Sequence, residues 1–349
     1  MSTENDDGYV EFFAEIVGRP ELEMLSYVEI QKMFLDCRIL IIGAGGTIGS
    51  SIASRLLSAG LKDIFLFDRD ESSLHALALK LSNISASLSE LCYVGDIRDK
   101  ISIGNTIQKT KPTIVIHAAA LKHLVILEKF PREGFLTNVN GTFNVAQSCL
   151  DFGVNKFINI STDKAANPIS ILGKTKKIAE MLTEDLLRGS KTAHASVRFG
   201  NVFASRGSVI ETFIHQIKND LPVTITDPKV CRYFMSRNEA ANLVLAATAL
   251  EGDGTYIQNM GQEVPIGEVV SRLGKHFGKE IKLSYIGLQK GEKMHEELYD
   301  GPITTTEYQD ISKSIHRLNP GIATEVASLS PRSDVEAVKF IGQLVSRYL

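Results

Sequence analysis

The stretch STDKAANPISILGKTK, residues 161–176, places an acid and an amine side by side directly after an apolar run. A carboxyl group and an amine so placed could act as an acid and a base, with Lys164 as the base if its pKa were low enough. Burial and the charge of Lys176 would lower the pKa of Lys164, whereas the Asp163 carboxylate would raise it. The two residues could instead form an ion pair at a strand end, so the residues alone leave both interpretations open.

The stretch RILIIGAGGTIGSSIASRLL, which begins at residue 38, has glycines where a strand would turn into a helix. Glycine lets this turn bend sharply, lets backbone N–H groups approach a pyrophosphate and lets the helix pack close to the strand. We therefore expect a dinucleotide at this turn. The residues expected to contact it there are Gly43, Gly45, Gly46, Thr47, Ile48 and Gly49.

Two charged residues at the end of the next apolar run bear on which dinucleotide binds. Asp68 lies 68 − 49 = 19 residues after Gly49, where a carboxylate can bond both hydroxyl groups of the adenosine ribose. It would repel a 2'-phosphate, which favours NAD over NADP. Arg69 weakens this preference, because a guanidinium group beside the ribose could bind a phosphate.

Two further strand ends fit the same cofactor. An acid in YVGDIRD could accept a hydrogen bond from the adenine amino group, and small residues in HAAALKHL would let the chain pass close to the dinucleotide. The neighbouring His117 could act as an acid or base, but such a histidine more often ends a buried strand with its ring nitrogens bonded. The residues expected to contact NAD at these strand ends are Asp96, Ile97, Ala118, Ala119 and Ala120.

The elements that position these residues follow from apolar runs that alternate with helical segments. Runs buried on both faces and separated by helices are typical of a doubly wound parallel sheet, so the sequence predicts an α/β, Rossmann-type fold. Open sheets of this kind bind ligands at the carboxyl ends of their strands. The six predicted strands are RILIIG, DIFLFD, LCYVGD, TIVIHAA, KFINIS and HASVRFG.

Three regions are expected along the chain. Residues 1–36 form an N-terminal extension with two short amphipathic helices, and residues 37–200 form the NAD-binding Rossmann domain. From 201 to 349 the pattern is less regular. We expect these residues to form a smaller α/β substrate-binding region over the carboxyl edge of the sheet, with some strands that could return to it.

The composition disfavours several classes of partner. The chain has 38 basic and 41 acidic residues and a net charge of −3, so no strong field attracts nucleic acid or an anionic membrane. Its four cysteines lie far apart and form no CxxC motif, so we expect neither a disulfide framework nor a metal site. The acidic N-terminus and the lack of long apolar runs predict a cytoplasmic protein without a signal peptide or membrane span.

Three features occur together in this chain: a GxxGxxG pattern, an acid at the end of the second strand and a lysine, Lys176, in the position of a YxxxK motif. Together they resemble the extended short-chain dehydrogenase/reductases. More narrowly, the chain resembles the polysaccharide-biosynthesis group of UDP-N-acetylglucosamine 4,6-dehydratases, over about residues 18–300. Long members of this group carry an N-terminal membrane domain, which we do not expect here, and the first 36 residues resemble the linker that follows it. The motifs of this narrower resemblance are GAGGTIGS, HAAALKH, TNVNGTFNVA, STDKAANP, VRFGNVFASRGSVI, PVTITDPKVCRYFM and KGEKMHEEL.

The resemblance implies a reaction without net oxidation. Hydride leaves sugar C4 for NAD, water is eliminated across C5 and C6, and hydride returns to C6 to give a 4-keto-6-deoxy sugar nucleotide. Thr162 would bond the C4 oxygen and Asp163 would protonate the leaving C6 hydroxyl group. Lys164 would remove the C5 proton, and Lys176 would orient the nicotinamide ribose and stabilise an adjacent oxyanion.

The chain departs from the family pattern at Leu172. Most relatives have a tyrosine there, four residues before the lysine, and its phenolate takes the C4 proton; long members commonly have methionine. Leucine accepts no proton. We therefore hypothesise that Asp163 receives the C4 proton, directly or through Thr162 or a water molecule.

The resemblance also implies contacts with a UDP-sugar and with a second subunit. Without it, Arg232 and Glu292 would be interpreted as solvated surface charges. The helices in VNGTFNVAQSCLDFG and SILGKTKKIAEMLTEDLL have apolar stripes that relatives use for dimerisation, which predicts a homodimer or larger homo-oligomer; burial within one subunit is the alternative. The residues expected at the substrate are Lys122, Asn201, Arg206, Ser208, Arg232 and Glu292.

Three functions fit these observations. The first is a UDP-N-acetylglucosamine 4,6-dehydratase, favoured because the acid and base at Asp163 and Lys164 are both needed for elimination. The second is an enzyme that oxidises or epimerises a sugar nucleotide without losing water. The third is a catalytically silent NAD-binding protein, for which Leu172 is the only support.

Overall fold

The computed structural model describes residues 12–81, 88–315 and 319–349. Its strands are β1 (Ile39–Ile42), β2 (Ile64–Asp68), β3 (Cys92–Val94), β4 (Ile114–His117), β5 (Lys156–Thr162), β6 (Ala193–Phe199), β7 (Asn201–Val202), β8 (Val223–Ile225), β9 (Cys231–Arg232), β10 (Phe234–Met235), β11 (Gly254–Gln258), β12 (Val264–Pro265), β13 (Leu283–Tyr285), β14 (Ile303–Thr305) and β15 (Ile311–Ser314).

The helices surround this set of strands, and a π-helical turn (Phe135–Gly141) joins α7 to α8. The α-helices are α1 (Phe13–Val17), α2 (Tyr27–Phe34), α3 (Thr47–Ser58), α4 (Glu71–Leu81), α5 (Lys100–Thr110), α6 (Leu124–Lys129), α7 (Pro131–Gly134), α8 (Thr142–Asp151), α9 (Ile171–Leu187), α10 (Val209–Lys218), α11 (Arg237–Ala249), α12 (Ile266–His276), α13 (Ile322–Ser328) and α14 (Asp334–Tyr348).

A nine-stranded sheet in the order β14-β15-β11-β6-β5-β4-β1-β2-β3 forms the centre of the molecule. The seven strands from β11 to β3 are parallel, and β15 and β14 add an antiparallel edge. The six predicted strands are β1 to β6, which confirms the Rossmann-type α/β fold. The strand order reverses at β1, so the carboxyl ends of β1 and β4 open a crevice for a ligand.

Strand β1 shows why the apolar runs are unbroken. Ile39 and Ile41 pack into the core on one face of the sheet, while Leu40 and Ile42 pack into the core on the other face. Helices α2, α3 and α11 contribute to the first core, and α5 and α8 to the second. Because both faces are covered, alternate residues need not be polar.

After residue 200 the chain both returns to the main sheet and builds a second lobe. Strand β11 pairs with β6, and α11 packs against α3. The second lobe has its own apolar core, made from α10, α12 and the short strands between them. Helix α1 also belongs to this core, through Phe12, Phe13 and Ile16.

The N-terminal extension therefore links the two cores. Helix α2 packs on α3, and its Ser26 forms a capping box with Glu29. Between α1 and α2, the fully buried Glu239 carboxylate accepts hydrogen bonds from Arg19 and from the backbone N–H of Leu22. Two short helices were predicted here and both are present; residues 1–11 of the predicted extension lie outside the described residues.

Two C-terminal helices cover α9. Asp185 of α9 accepts hydrogen bonds from the backbone N–H groups of Gly321 and Ala323 at the start of α13. The apolar face of α9 that was expected to form a subunit interface is therefore buried within the same chain. The apolar cluster shared by these helices includes Leu172, Ile178, Met181, Leu182, Ile322, Val326, Ala337, Ile341 and Leu344.

Among the residues that the structure describes, no helix combines the length and apolar character that crossing a bilayer requires.

Candidate active site

The turn after β5 holds the predicted acid and base. Residues Asp163–Ala165 form a short 3-10 turn, and the start of α9 packs directly against it. The fit depends on Gly173, because a Cβ atom there would lie well inside contact distance of the Lys164 carbonyl oxygen. The turn is thus held at the carboxyl edge of the sheet.

Asp163 and Lys164 bond each other inside this turn. Asp163 is fully buried, and its Oδ1 atom accepts hydrogen bonds from Thr162 Oγ1 at 2.8 Å and Lys164 Nζ at 2.9 Å. Its Oδ2 atom has no hydrogen-bond partner in the part of the chain that the structure describes. Lys164 Nζ also donates to Asn201 Oδ1 at 3.2 Å. Four of the predicted site residues, three catalytic ones and the substrate residue Asn201, are therefore one connected group.

A second carboxylate, which the sequence did not reveal, faces the same amine. Glu296 Oε1 lies 3.6 Å from Lys164 Nζ, and only 4% of Glu296 is exposed. Burial lowers the pKa of Lys164, but Asp163 and Glu296 outweigh it, so this pKa is raised above its ordinary value. Lys164 therefore carries a proton at neutral pH. Glu296 lies within the quoted motif KGEKMHEEL, where only Glu292 was singled out.

Lys176 lies on the buried face of α9. Burial lowers its pKa to about 8, although Glu180 opposes the shift. The residue one turn earlier, Leu172, is 5% exposed and packs in the apolar cluster of α9, so this position supplies no acid or base.

His117 is a structural residue at the end of β4. Its Nε2 atom lies 3.1 Å from Thr142 Oγ1, and its ring stacks on Phe157. Burial, with a contribution from Lys176, lowers the pKa of His117 to about 3. The ring is neutral at physiological pH. The ordinary interpretation is met only in part, because Nε2 is bonded whereas the buried Nδ1 atom has no hydrogen-bond partner among the described residues.

A cavity of about 240 Å³ opens at the carboxyl ends of β1, β2 and β4. It is lined by nine of the predicted cofactor residues, and Gly45, Thr47, Ile48, Gly49 and Lys176 lie outside its lining. The nine are Gly43, Gly46, Asp68, Arg69, Asp96, Ile97, Ala118, Ala119 and Ala120.

At the glycine turn, the backbone after β1 lies close to the backbone after β4. Gly43 has φ +83°, and a Cβ atom there would lie 2.5 Å from the Ala119 backbone nitrogen. Asp68 Oδ2 accepts a hydrogen bond from the Gly45 N–H at 2.9 Å, which fixes the turn against β2. A glycine cradle with an acid at its edge fits a dinucleotide whose ribose carries free hydroxyl groups.

Arg69 and Asp96 lie together at the rim of this cavity, with Arg69 Nη1 4.0 Å from Asp96 Oδ2. Although burial opposes it, hydrogen bonds from Arg98 hold the pKa of Asp96 below its ordinary value. Asp96 is therefore an ionised acceptor.

Three more of the predicted substrate residues have partners within the protein. The Arg206 backbone N–H donates to Thr47 Oγ1 and its guanidinium group donates to Ser73 Oγ, so Arg206 lines the dinucleotide cavity. Ser208 caps α10 by accepting from the Glu211 N–H. Lys122 donates to Ser205 Oγ at 3.3 Å, and burial lowers its pKa.

Arg232 and Glu292 form a pair with each other. Arg232 Nη2 donates to Glu292 Oε1 at 2.9 Å, and Arg232 Nη1 donates to the Cys231 and Lys293 carbonyl oxygens. Arg232 is buried, so the interpretation as a solvated surface charge is wrong. The reason is that the two charges neutralise each other inside the second lobe.

Asn138 is another buried polar residue that was not among the predicted site residues. Its Oδ1 atom accepts from the Leu121 N–H, and its Nδ2 atom donates to the Leu121 carbonyl oxygen and Thr175 Oγ1. This buried amide in the π-helical turn holds the loop after β4 against α9. Its only sequence signal was its place in the motif TNVNGTFNVA.

One group of possible metal ligands occurs among the residues described. Donor atoms of Cys231, Glu263 and His295 lie within 4.8 Å of one another. Glu263 and His295 bond each other, and Cys231 Sγ donates to the Lys229 carbonyl oxygen. These protein contacts account for the cluster, and we assign no metal to it.

A family model described as "Polysaccharide biosynthesis protein" matches residues 39–316, which include all the site residues above. The chain belongs to this family. The resemblance to extended short-chain dehydrogenase/reductases of the polysaccharide-biosynthesis group is thereby confirmed.

Two relatives illustrate the range of proteins that resemble this family member. The chain is 39% identical to the capsular polysaccharide biosynthesis protein CapD of Staphylococcus aureus over 81% of its own length and 48% of that protein. It thus spans about half of this relative. It is 36% identical to a UDP-glucose 4-epimerase of Rickettsia rickettsii, over 76% of the chain and 78% of the epimerase.

Solved structures of similar fold support the family assignment. Pen from Bacillus thuringiensis is 34% identical with a TM-score of 0.69, over 75% of this chain and 83% of Pen. A dTDP-glucose 4,6-dehydratase double mutant from Streptomyces venezuelae, DesIV, was solved with NAD bound. It matches with a TM-score of 0.66 and 18% identity, over 89% of this chain and 97% of DesIV, and shows that the two chains have a similar fold.

Proposed function

We propose that this chain is a nucleotide-sugar 4,6-dehydratase that converts UDP-N-acetylglucosamine to a UDP-4-keto-6-deoxy-N-acetylhexosamine. One observation carries the proposal: Asp163 and Lys164 are adjacent and bonded at the carboxyl end of β5, on the cavity edge of the sheet. Oxidation at C4 alone needs no such pair, whereas elimination needs both an acid and a base. The UDP-sugar is proposed from the family resemblance and the names of relatives.

NAD is the proposed cofactor, because the glycine cradle and Asp68 fit a dinucleotide with a free 2'-hydroxyl group. When bound, NAD would supply the removal of hydride from C4 and its return to C6. Gly43, Gly46 and the alanines after β4 would lie against it, with Lys176 at the nicotinamide ribose. NADP is the less favoured alternative because of the Asp68 carboxylate.

The proposed proton steps use this chain's own atoms. Asp163 receives the C4 hydroxyl proton through Thr162 Oγ1, which lies 2.8 Å from Asp163 Oδ1. It then delivers that proton to the C6 oxygen, which leaves as water. Lys164, once it has given up its own proton, takes the C5 proton, and it protonates C5 again after hydride reaches C6. Asp163 thus starts and ends ionised, and the substrate loses one water.

The second lobe is proposed to hold the nucleotide end of the substrate. The Arg232–Glu292 pair lies in this lobe, and Arg232 is one of the charges that act on Lys164. A UDP diphosphate would compete with Glu292 for Arg232. A cytoplasmic location and a homo-oligomeric state remain predictions.

A 4-epimerase is the second candidate. Two relatives called UDP-glucose 4-epimerase are 36% identical to this chain, and the match spans 78% of each epimerase. An epimerase would leave Asp163 and Lys164 without a role in proton transfer at C5.

The deciding experiment is incubation of the purified protein with UDP-N-acetylglucosamine and NAD in deuterium oxide, followed by mass and proton spectra. The dehydratase predicts loss of one water and deuterium at C5, and the C5 coupling pattern reports whether its configuration inverts. A C4 epimer of unchanged mass would identify the second candidate. Unaltered substrate with bound NAD would indicate a silent protein.

A further inference from the structure

We infer that Glu296 is the proton acceptor that converts Lys164 from an ammonium group into the base of the elimination. This inference rests on the proposed dehydratase function and adds a positioning residue to it. Glu296 lies in the motif KGEKMHEEL, but nothing in the sequence links it to Lys164.

The geometry around Lys164 Nζ carries the inference. Three oxygen atoms face this nitrogen: Asp163 Oδ1 at 2.9 Å, Asn201 Oδ1 at 3.2 Å and Glu296 Oε1 at 3.6 Å. Glu296 is 4% exposed, and its Oε2 atom is buried with no hydrogen-bond partner among the residues that the structure describes. A buried carboxylate oxygen without a hydrogen-bond partner costs free energy, so its presence here calls for an explanation.

The charges around Glu296 make it able to hold a proton. Burial raises the pKa of Glu296 and Asp163 adds to this, while Lys164, Arg232 and Lys293 act in the opposite direction. Asp163 and Arg232 also face Lys164. A carboxyl group with a raised pKa accepts a proton from a neighbouring ammonium group more readily than an ordinary surface carboxylate does.

The proton count decides between the two carboxylates. In the proposed cycle Asp163 carries the C4 proton to the C6 oxygen, so it cannot also hold the proton that Lys164 must lose. Transfer to Glu296 breaks one Nζ–H bond and forms one Oε1–H bond. The freed Nζ lone pair then takes the C5 proton. When C5 is reprotonated, the proton on Glu296 returns to Lys164 and the charges are restored.

The test compares Glu296→Gln with Glu297→Gln in the full chain, using the adjacent, more exposed acid as the matched control. We measure deuterium incorporation at C5 from UDP-N-acetylglucosamine between pH 6 and 9, with NAD binding measured in parallel. For Glu296→Gln we expect at least a tenfold loss of exchange near pH 7. The loss should become smaller as pH rises. In the variant Lys164 must release its proton to solvent, and this release is easier at high pH. Glu297→Gln should resemble the wild type.

Glu296→Asp separates this role from a structural one, because it keeps the carboxyl group and should recover part of the exchange rate. Exchange lost equally at every pH, with no recovery by Glu296→Asp, would overturn the inference in favour of a structural role. So would Glu296→Gln with the wild-type rate and profile. A wild-type protein that releases no water would instead overturn the dehydratase proposal, and this inference with it.

Discussion

At the scale of single residues, the unbonded Oδ2 atom of Asp163 is the feature that most needs an explanation. Buried carboxylate oxygens are normally bonded, since leaving one without a partner costs free energy. Here Oδ1 takes the contacts from Thr162 and Lys164, and Oδ2 takes none among the described residues. A free acceptor beside a hydroxyl relay suits a group that must bind and release a substrate proton.

Replacing Asp163 with Asn should therefore abolish turnover without abolishing cofactor binding. The amide keeps the size of the side chain but cannot carry the C4 proton, and we expect a loss of about 10² to 10⁴ in rate. Product formation and NAD binding, each measured separately, check this. Asp151→Asn, at the exposed end of α8, is the control. An Asp163→Asn variant with normal turnover would remove Asp163 from the mechanism.

We expect the buried Lys176 to lower the free energy of unfolding by an amount that depends on pH. Its pKa of about 8 lies below the ordinary 10.5, so the charged lysine costs the folded protein up to about 3 kcal/mol below pH 8. Between pH 8 and 10.5 the unfolded chain binds the extra proton, so this cost falls as pH rises. Lys176→Met should thus raise the free energy of unfolding at pH 7 by up to about 3 kcal/mol.

Urea unfolding at several pH values measures this effect. The gain from Lys176→Met should shrink above pH 8 and vanish near pH 11, whereas Lys174→Met on the less buried side of α9 should change stability by less than about 0.5 kcal/mol. An equal gain at all pH values would mean that packing, and not charge, explains it.

At the scale of elements, the contact between α9 and the turn after β5 depends on one missing side chain. A Cβ atom at Gly173 would collide with the Lys164 carbonyl oxygen, which belongs to the backbone and cannot rotate away. Gly173→Ala should therefore push α9 from the turn, displace Lys164 and reduce turnover at least tenfold, with a loss of stability of about 1–3 kcal/mol.

Gly342→Ala on α14 is the matched control, because apart from the backbone of its own helix and its chain neighbours no atom of the described residues lies within 4 Å of the added methyl group. Alanine is the better helix former, so this change should raise the free energy of unfolding by up to about 1 kcal/mol and leave turnover unaltered. Thermal unfolding and product formation, compared for the two variants, measure both effects. A normal Gly173→Ala enzyme would show that the turn can shift freely.

The elements were predictable where their signals are local. Strands β1 to β6 were found because each is built around a short apolar run, and the glycine turn because its glycines lie close together in the sequence. Glu296 was missed because its link to Lys164 is made only by folding, and the Arg232–Glu292 pair was misread for the same reason. Sequence spacing says little about contacts between residues that are distant in the chain.

At the scale of the whole molecule, buried charges connect the C-terminal part of the chain to the main sheet. Arg198 of β6 is fully buried and pairs with Glu180 of α9 at 2.7 Å and with Asp300 at 2.9 Å. Lys177 completes the group by donating to Asp300. Removing one member of such a buried group leaves an uncompensated charge. The segment around residue 300 is thus anchored to the sheet and α9.

The C-terminal helices bear on subunit association. The face of α9 that relatives were expected to use for dimerisation is covered by α13 and α14, and α14 lies beyond residue 316, where the family match ends. A homo-oligomer, which stays a prediction, would not use this face of α9 while these helices are in place.

Undocking α14 should therefore change the association state. Ile341 is 1% exposed in the cluster against α9, whereas Val338, on the same helix, is 49% exposed. Ile341→Asp would bury a charge without a partner, which costs several kcal/mol unless α14 leaves its site. Undocking would expose a contiguous apolar face on α9, and such faces associate. We expect Ile341→Asp to form larger species as concentration rises, while Val338→Asp behaves like the wild type.

Sedimentation velocity gives the mass of each variant, and circular dichroism checks that the fold persists. A folded Ile341→Asp variant with the wild-type mass at every concentration would show that the α9 face does not drive association.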